Sequence, residues 1–114
     1  MTIFNVSRST QIADKLVLAQ TMFSRMRGLL TKKSFIPGEA LILQPADSIH
    51  TFFMRFPIDV IFLDDQGKVL KIKENLVPFR LCLARRGAAR VIELPPNTIQ
   101  NSSTRVGDLL KISP

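Results

Sequence analysis

The sequence has few or no residues of several types, and each scarcity narrows the class of protein to which it can belong. Its 114 residues contain no Trp, no Tyr, one Cys and one His. The single Cys82 cannot form an internal disulfide, and its apolar neighbours are typical of a buried structural thiol. One His and one distant Cys do not give the ligand spacing of a transition-metal site. We therefore expect neither a disulfide nor a bound metal, and we assign no cofactor.

Long apolar runs are also missing. Asp, Lys or Arg interrupts every apolar segment well before the roughly 20 residues that span a bilayer. The N-terminal residues do not combine a basic segment with a long apolar core, so they do not resemble a secretory signal. We therefore expect a cytoplasmic protein without a membrane segment.

The composition is that of a globular protein, with 46% hydrophobic and 22% charged residues. A chain of this length buries enough apolar surface to fold as one domain, which we expect to span residues 1–114. The formal net charge is +7. This charge is spread over both halves of the chain, but residues 71–90 carry six basic side chains against one acid. That segment would attract an anionic partner.

Hydrophobic patterns predict many short strands and one helix. Residues 58–63 are apolar on both faces apart from Asp59, as in a central strand, and a buried acid there needs a partner. The sequence DDQG at 64–67 predicts a hairpin turn into a strand around 70–73. Apolar residues at i, i+4, i+7 and i+8 from Met22 predict a helix over 21–31, near the N-terminus. Further strands are predicted at 15–20, 40–43, 49–55, 90–94 and 109–112. Many short antiparallel strands indicate a mainly-β sandwich or barrel.

Five phrases stand in order along the chain: RMRGLL at 25–30, HTFFMR at 50–55, IDVIFLD at 58–64, VIEL at 91–94 and GD at 107–108. In this combination the chain resembles the family called domain of unknown function 192, a group of small prokaryotic proteins, from about residue 12 to residue 112. The resemblance implies a jelly-roll-like or barrel-like fold with a short helix, and it implies no established activity. Many relatives have Trp where this chain has Phe53, and many carry an export signal, so their periplasmic location is not transferred.

The three strongest phrases carry polar residues inside apolar segments. We predict that Arg27, His50, Arg55 and Asp59, together with Met54, line a cleft between helix and sheet that binds a small anionic ligand. Guanidinium groups suit this task because they pair with carboxylate or phosphate in fixed geometry. The structural alternative for Asp59 is an ion pair with Arg27 or Arg55 that fixes the helix to the sheet. For His50 it is a partly buried, hydrogen-bonded residue at the start of a strand.

Three functions stay open at this point. The first is a non-catalytic module that binds a small anion or a protein. The second is nucleic-acid binding through the basic surface, although no helix-turn-helix, zinc finger or RNA-binding aromatic signature is present. The third is a hydrolase that uses His50 with an Asp, although no nucleophile elbow, phosphate loop or paired-carboxylate motif is present. Glu93, in mid-strand, and Asp108, in a turn where Asp commonly bonds the backbone, are not assigned to catalysis.

Overall fold

The computed structural model describes residues 1–19, 35–44, 48–50, 56–78, 80–83 and 87–114, with the backbone alone for 19 and 48–50. Ten strands and one short helix lie within these ranges. In chain order they are β1 (Thr2–Asn5), β2 (Thr10–Ala13), β3 (Lys15–Ala19), β4 (Glu39–Leu43), β5 (Ser48–His50), β6 (Ile58–Leu63), β7 (Val69–Leu76), β8 (Leu81–Leu83), β9 (Arg90–Leu94), α1 (Thr98–Ser102) and β10 (Leu110–Ser113).

A five-stranded sheet of order β3-β4-β9-β6-β7 forms the centre of the fold. All six residues of β6 are buried, because layers of the protein cover both faces of this strand. The run of Val, Ile, Leu and Phe in β6 suits this position, since β-branched and aromatic side chains pack well on a pleated, buried surface. The central strand predicted at 58–63 is therefore confirmed.

The three-stranded sheet β10-β1-β2 packs, together with α1, on one face of the central sheet. Its contact with that face is an apolar cluster that we call cluster A. Cluster A consists of Ile3, Ile12, Ala13, Ala40, Ile42, Ile61, Leu63, Val69, Ile92, Leu94, Ile99 and Leu110. Each large aliphatic side chain buried in this way stabilises the fold by about 1.5–3 kcal/mol before the entropy of ordering it is subtracted.

The two-stranded ribbon β5-β8 belongs to the other face of the central sheet. Strand β8 contributes Cys82 to the second apolar cluster, which we call cluster B. Successive residues of β6 alternate between the clusters: Ile58, Val60 and Phe62 lie in cluster B, and Ile61 and Leu63 in cluster A. Cluster B consists of Phe35, Leu41, Leu43, Ile58, Val60, Phe62, Leu76, Cys82 and Val91.

The hairpin between β6 and β7 also joins the two larger sheets. Asp64 Oδ1 accepts hydrogen bonds from the backbone N–H groups of Gln66 and Lys68, both at 2.9 Å, which fixes the predicted turn. Gly67 has φ 92°, and its carbonyl accepts a hydrogen bond from the N–H of Leu110 at 2.9 Å. A Cβ atom at Gly67 would lie 2.5 Å from the carbonyl oxygen of Leu110, so glycine is required by the close approach as well as by φ.

The mainly-β prediction is confirmed, with two corrections. The short helix of the described chain is α1, near the C-terminus rather than the N-terminus; the helix predicted over 21–31 lies outside the described residues. The strands are not all antiparallel, because β3 pairs with β4 in parallel. Strands β1, β2 and β8 were not predicted. Among the described residues, no helix is long and apolar enough to cross a bilayer.

Candidate functional site

Most of the predicted ligand-binding residues lie outside the part of the chain that the structure describes. Arg27, Met54 and Arg55 are among them. His50 ends strand β5, where its backbone pairs with that of Leu81, but its side chain is not described. The convergence of these residues in one cleft therefore stays a prediction.

The side chain of Asp59 is described by the structure, and both of its carboxylate oxygens accept hydrogen bonds from backbone N–H groups. The residue is 1% exposed. Its Oδ1 accepts a hydrogen bond from the N–H of Asn75, and its Oδ2 accepts one from the N–H of Ile99, both at 2.9 Å. Asn75 has φ 54°, and it lies in β7 where the pairing with β6 is interrupted. The buried acid of β6 thus has the partners that it needs, and they are two amide groups.

The bond to Ile99 also stabilises helix α1. The N-terminal N–H groups of a helix lack partners within the helix, and a side-chain oxygen of the preceding residue usually supplies one. Here the preceding residue, Asn97, has φ 73° and makes no such side-chain bond. Asp59, which is 40 positions away in sequence, supplies the acceptor instead. The structure therefore gives Asp59 a structural role, which is to fasten α1 to the central sheet.

Glu93 is the second buried acid of the central sheet, and it faces the opposite side. Its register partners are Leu41 in β4 and Val60 in β6, both members of cluster B. Asp59 pairs with Leu94, a member of cluster A. Paired residues share a face of the sheet, so Glu93 lies on the same side as the ribbon that carries His50. The position of Glu93 inside the apolar phrase VIEL is a sequence signal for a buried acid, although the sequence alone assigns it to no site.

Asp108 organises the turn before β10 through a buried polar network. Its Oδ2 accepts hydrogen bonds from Asn5 Nδ2 at 3.0 Å, Arg8 Nε at 3.1 Å and the N–H of Arg105 at 2.9 Å. Burial acts to raise the pKa of this carboxyl, but the bonds from Arg8, Asn5 and Arg105 outweigh it and hold the pKa below its ordinary value of 3.8. The predicted bonding of this Asp to the backbone of its turn is confirmed.

Cys82 is buried in cluster B, as predicted. Within the described ranges, no group of three or more His, Cys, Asp or Glu side chains is placed to hold a metal ion. Neither Cys82 nor any described carboxylate therefore forms part of a metal site that the structure shows.

A hollow opens between the central sheet and the three-stranded sheet, and sequence reasoning missed it. We call it the Arg90 hollow. It has a volume of about 230 Å³, and it is lined by Met1, Leu18, Ile42, Gln44, Arg90 and Ile112. Ile42, which is 3% exposed, belongs to cluster A, so the hollow reaches down to the apolar core.

Pairing register explains why apolar and polar side chains meet in the Arg90 hollow. Leu18 is paired with Ile42, and Ile42 with Ile92, so these three residues form a row across β3, β4 and β9 on one face. Two residues beyond Ile42 and two before Ile92, the same face carries Gln44 and Arg90. A neutral amide and a guanidinium group therefore lie in the row next to these three apolar side chains.

Arg90 has no opposite charge to neutralise it in the described chain. It takes part in none of the ion pairs among the described residues, and none of the residues that line the hollow is acidic. By contrast, Arg8 is paired with Asp108. The sequence signal for Arg90 was a basic residue that opens the apolar strand RVIEL, but it was counted only as part of the basic segment 71–90.

Comparisons with known proteins find relatives without an assigned activity. The model of the family described as Uncharacterized ACR, DUF192, matches residues 4–112. A UPF0127 protein of Pyrococcus abyssi is 34% identical over 112 residues, which cover 93% of this chain and 92% of the relative. A UPF0127 protein of Thermococcus sibiricus is 32% identical over 111 residues, which cover 93% of this chain and 71% of the relative. The resemblance drawn from the five phrases is confirmed.

Two crystal structures share the fold. One is of a proposed transcription regulator from Sinorhizobium meliloti, with a TM-score of 0.81 and 22% identity over 96% of this chain and 89% of that protein. The other is of a protein of unknown function from Novosphingobium aromaticivorans, with a TM-score of 0.81 and 20% identity over 97% of this chain and 82% of that protein. At this level of identity the likeness establishes the fold alone.

Proposed function

We propose that this chain, which belongs to the domain of unknown function 192 family, is a non-catalytic binding module that takes a small anionic ligand in the Arg90 hollow. The observation that carries this proposal is a guanidinium group without a carboxylate partner in the described chain, at the edge of a hollow whose floor is buried Ile42. Binding sites for small molecules commonly combine an apolar lining with a few polar groups of this kind.

The apolar side chains around Arg90 should strengthen its interaction with an anion. A guanidinium group in open water gains little from an anion, because both ions stay hydrated and screened. Beside an apolar wall the same hydrogen bonds strengthen, and a charge-assisted bond contributes about 1.5–3 kcal/mol. Arg90 is half-buried next to Leu18 and Ile112, so a bound anion would be partly shielded from water.

The proposal is tested by titrating ¹⁵N-labelled protein with acetate, benzoate and inorganic phosphate and following backbone amide shifts. We expect at least one of these anions to move the amides of Arg90, Ile42 and Ile112 and to saturate. Arg90→Gln should weaken that binding at least tenfold, because it removes the charge and keeps much of the side-chain length. Arg105→Gln is the matched control, since Arg105 is an exposed arginine outside the hollow and should leave binding unchanged. If no anion binds, or if both variants weaken binding equally, the proposal is wrong.

The sequence-predicted cleft is a second candidate location for the same function. It would use Arg27, His50, Met54 and Arg55. We leave Asp59 out of this ligand set, because both of its carboxylate oxygens already accept backbone hydrogen bonds. An Arg55→Gln variant in the same titration discriminates the two locations. Loss of binding in that variant, with Arg90→Gln unaffected, would move the ligand to the predicted cleft.

The other functions that the sequence left open stay predictions. Nucleic-acid binding would appear in an oligonucleotide titration as an affinity that falls steeply with salt. A hydrolase would show turnover that is lost in a His50→Ala variant. A protein partner and the cytoplasmic location are likewise expectations from the sequence.

A further inference from the structure

We infer that the ligand of the Arg90 hollow is a monocarboxylate with a short apolar body. This inference rests on the proposed function and concerns the same site. It depends on three properties of the hollow: the number of charged side chains in its lining, the separation of its polar and apolar walls, and its volume.

The charge of the lining fits a monoanion. Arg90 is the single charged side chain among the residues that line the hollow, and Gln44 is neutral. Phosphate dianions and polycarboxylates are usually held by several cations or backbone N–H groups, because each desolvated charge must be compensated. One guanidinium group compensates one carboxylate, and its planar fork matches the two carboxylate oxygens.

The walls of the hollow are divided into a polar end and an apolar body. Gln44 directly follows β4, and Arg90 begins the neighbouring strand β9; they lie side by side because the residues next to them, Leu43 and Val91, are paired. The remaining lining is apolar and comes from both sheets: Leu18 and Ile42 from the central sheet, and Met1 and Ile112 from the other. An anion without an apolar part would leave these side chains facing water and gain nothing from them.

The exposed fractions of the lining side chains indicate which wall of the hollow a ligand would cover. Leu18 is 48% exposed although it shares a face with buried Ile42. A hydrocarbon or aryl group placed against Leu18 and Ile112 would remove apolar surface from water, which favours binding in proportion to the area covered. A carboxylate at Arg90 with an apolar body toward Leu18 therefore satisfies both parts of the hollow at once.

The volume limits the size of the apolar body. An apolar cavity of about 150 Å³ accommodates benzene, which has six carbon atoms. On that scale the Arg90 hollow, at about 230 Å³, accommodates a ligand of roughly nine non-hydrogen atoms. Hexanoate and benzoate have about this size, whereas long-chain fatty acids would extend into solvent.

The experiment compares three probes by isothermal titration calorimetry and amide shifts: hexanoate, hexan-1-ol and inorganic phosphate. We expect hexanoate to bind at least tenfold more tightly than phosphate or hexan-1-ol. Arg90→Gln should weaken hexanoate binding at least tenfold and leave the weak binding of hexan-1-ol unchanged. Leu18→Asn should weaken hexanoate binding on the order of fivefold, because it removes a few tens of Å² of apolar contact, and it should leave acetate binding unchanged.

Val17→Asn is the matched control for Leu18. Val17 is the neighbouring residue of the same strand and is 54% exposed, but it points to the opposite face and does not line the hollow. Far-UV circular dichroism confirms that each variant folds. If phosphate binds more tightly than hexanoate and depends on Arg90, the ligand class is wrong while the proposed function stands. If no anion binds at Arg90, both are overturned.

Discussion

Removing the carboxylate of Asp59 should destabilise the protein by several kcal/mol without any loss of apolar contact. The side chain is 1% exposed, and its two oxygens each accept one backbone N–H, from Asn75 and from Ile99. In Asp59→Ala both amide groups lose their partner. The two amides belong to different elements, β7 and α1, so the substitution weakens the attachment of both to β6.

The expected magnitude follows from the two orphaned N–H groups. A buried donor that loses its acceptor costs about 1–3 kcal/mol, which applies in full to the N–H of Ile99. Asn75 is exposed and its bond is only partly buried, so water replaces part of the lost bond, and Asp59→Ala should cost about 3 kcal/mol in total. Asp59→Asn keeps one acceptor oxygen but turns an NH₂ group toward the other amide, so it should cost about half as much. Domains of this size are stable by about 5–15 kcal/mol, so the Ala variant should still fold at low temperature.

Urea unfolding followed by far-UV circular dichroism measures these costs, because the chain has no Trp or Tyr for intrinsic fluorescence. With a urea dependence of about 1–3 kcal/mol per molar, the midpoint of Asp59→Ala should fall by roughly 2 M. Amide hydrogen exchange of Ile99 and Asn75 should accelerate in the same variant, since these two N–H groups are the ones released. Asp65→Ala, in the exposed part of the hairpin turn, is the control and should change stability by less than about 0.5 kcal/mol.

Two results would refute this reasoning. One is a loss below about 1 kcal/mol for Asp59→Ala, which would mean that water or a rearranged backbone satisfies both amides. The other is an Asn variant as unstable as the Ala variant, which would mean that charge, rather than the number of acceptors, determines the stabilisation.

Three further predictions concern other parts of the fold. Gly67→Ala should lower the free energy of unfolding by about 3 kcal/mol or more, because the added Cβ would collide with the Leu110 carbonyl. Gly107 has open space around it, so Gly107→Ala should cost only the strain of its positive φ, about 1–2 kcal/mol. Urea titrations of both variants measure the difference. Asp108→Asn should lower the free energy of unfolding at pH 7. The folded protein lowers the pKa of this carboxyl, so its ionised form stabilises the fold above pH 3.8 and this stabilisation is lost on protonation; the difference between variant and wild type should therefore shrink as the pH falls below 3.8. Urea titrations at pH 7 and below pH 3.8 check this. Cys82 should react with Ellman's reagent at least tenfold faster in unfolded than in native protein, because burial protects its thiol.

The central sheet was predictable because its strands carry strong local signals. Residues 58–63 are apolar apart from Asp59, residues 90–94 carry the apolar side chains Val91, Ile92 and Leu94, and DDQG marks the hairpin, so composition and turn chemistry agree with the final structure. Helix α1 was not predictable in this way. It has only five residues, TIQNS, with one buried apolar side chain, and its acceptor comes from Asp59 far away in sequence. A helix held by a long-range hydrogen bond has no periodic pattern of its own.

Strands β1, β2 and β8 were missed for a related reason. They have three or four residues each, and none of their sequences, TIFN, TQIA and LCL, alternates strictly between polar and apolar residues, so no periodic signal marks them. Strand β1 depends on partners at the other end of the chain, because it pairs with β10 and Asn5 bonds to Asp108. Strand β2 pairs with β1, and β8 pairs with β5, so each of these short strands is held by another short strand. Only the assembled sheet makes these strands stable, so local sequence patterns give little indication of them.

Predicting the candidate site from the sequence would have required the pairing register of the strands as well as their positions. Alternation along a strand says that neighbouring residues face opposite sides, but it does not say which layer covers each side. Asp59 pairs with Leu94 while Glu93 pairs with Val60, so a one-residue offset sends the two buried acids to opposite faces. Asp59, which the sequence singled out for binding, therefore accepts a hydrogen bond from the backbone of α1. Arg90, which resembles an ordinary surface cation in the sequence, opens the same strand as Glu93 and lies at a hollow between two sheets that meet only in the folded protein.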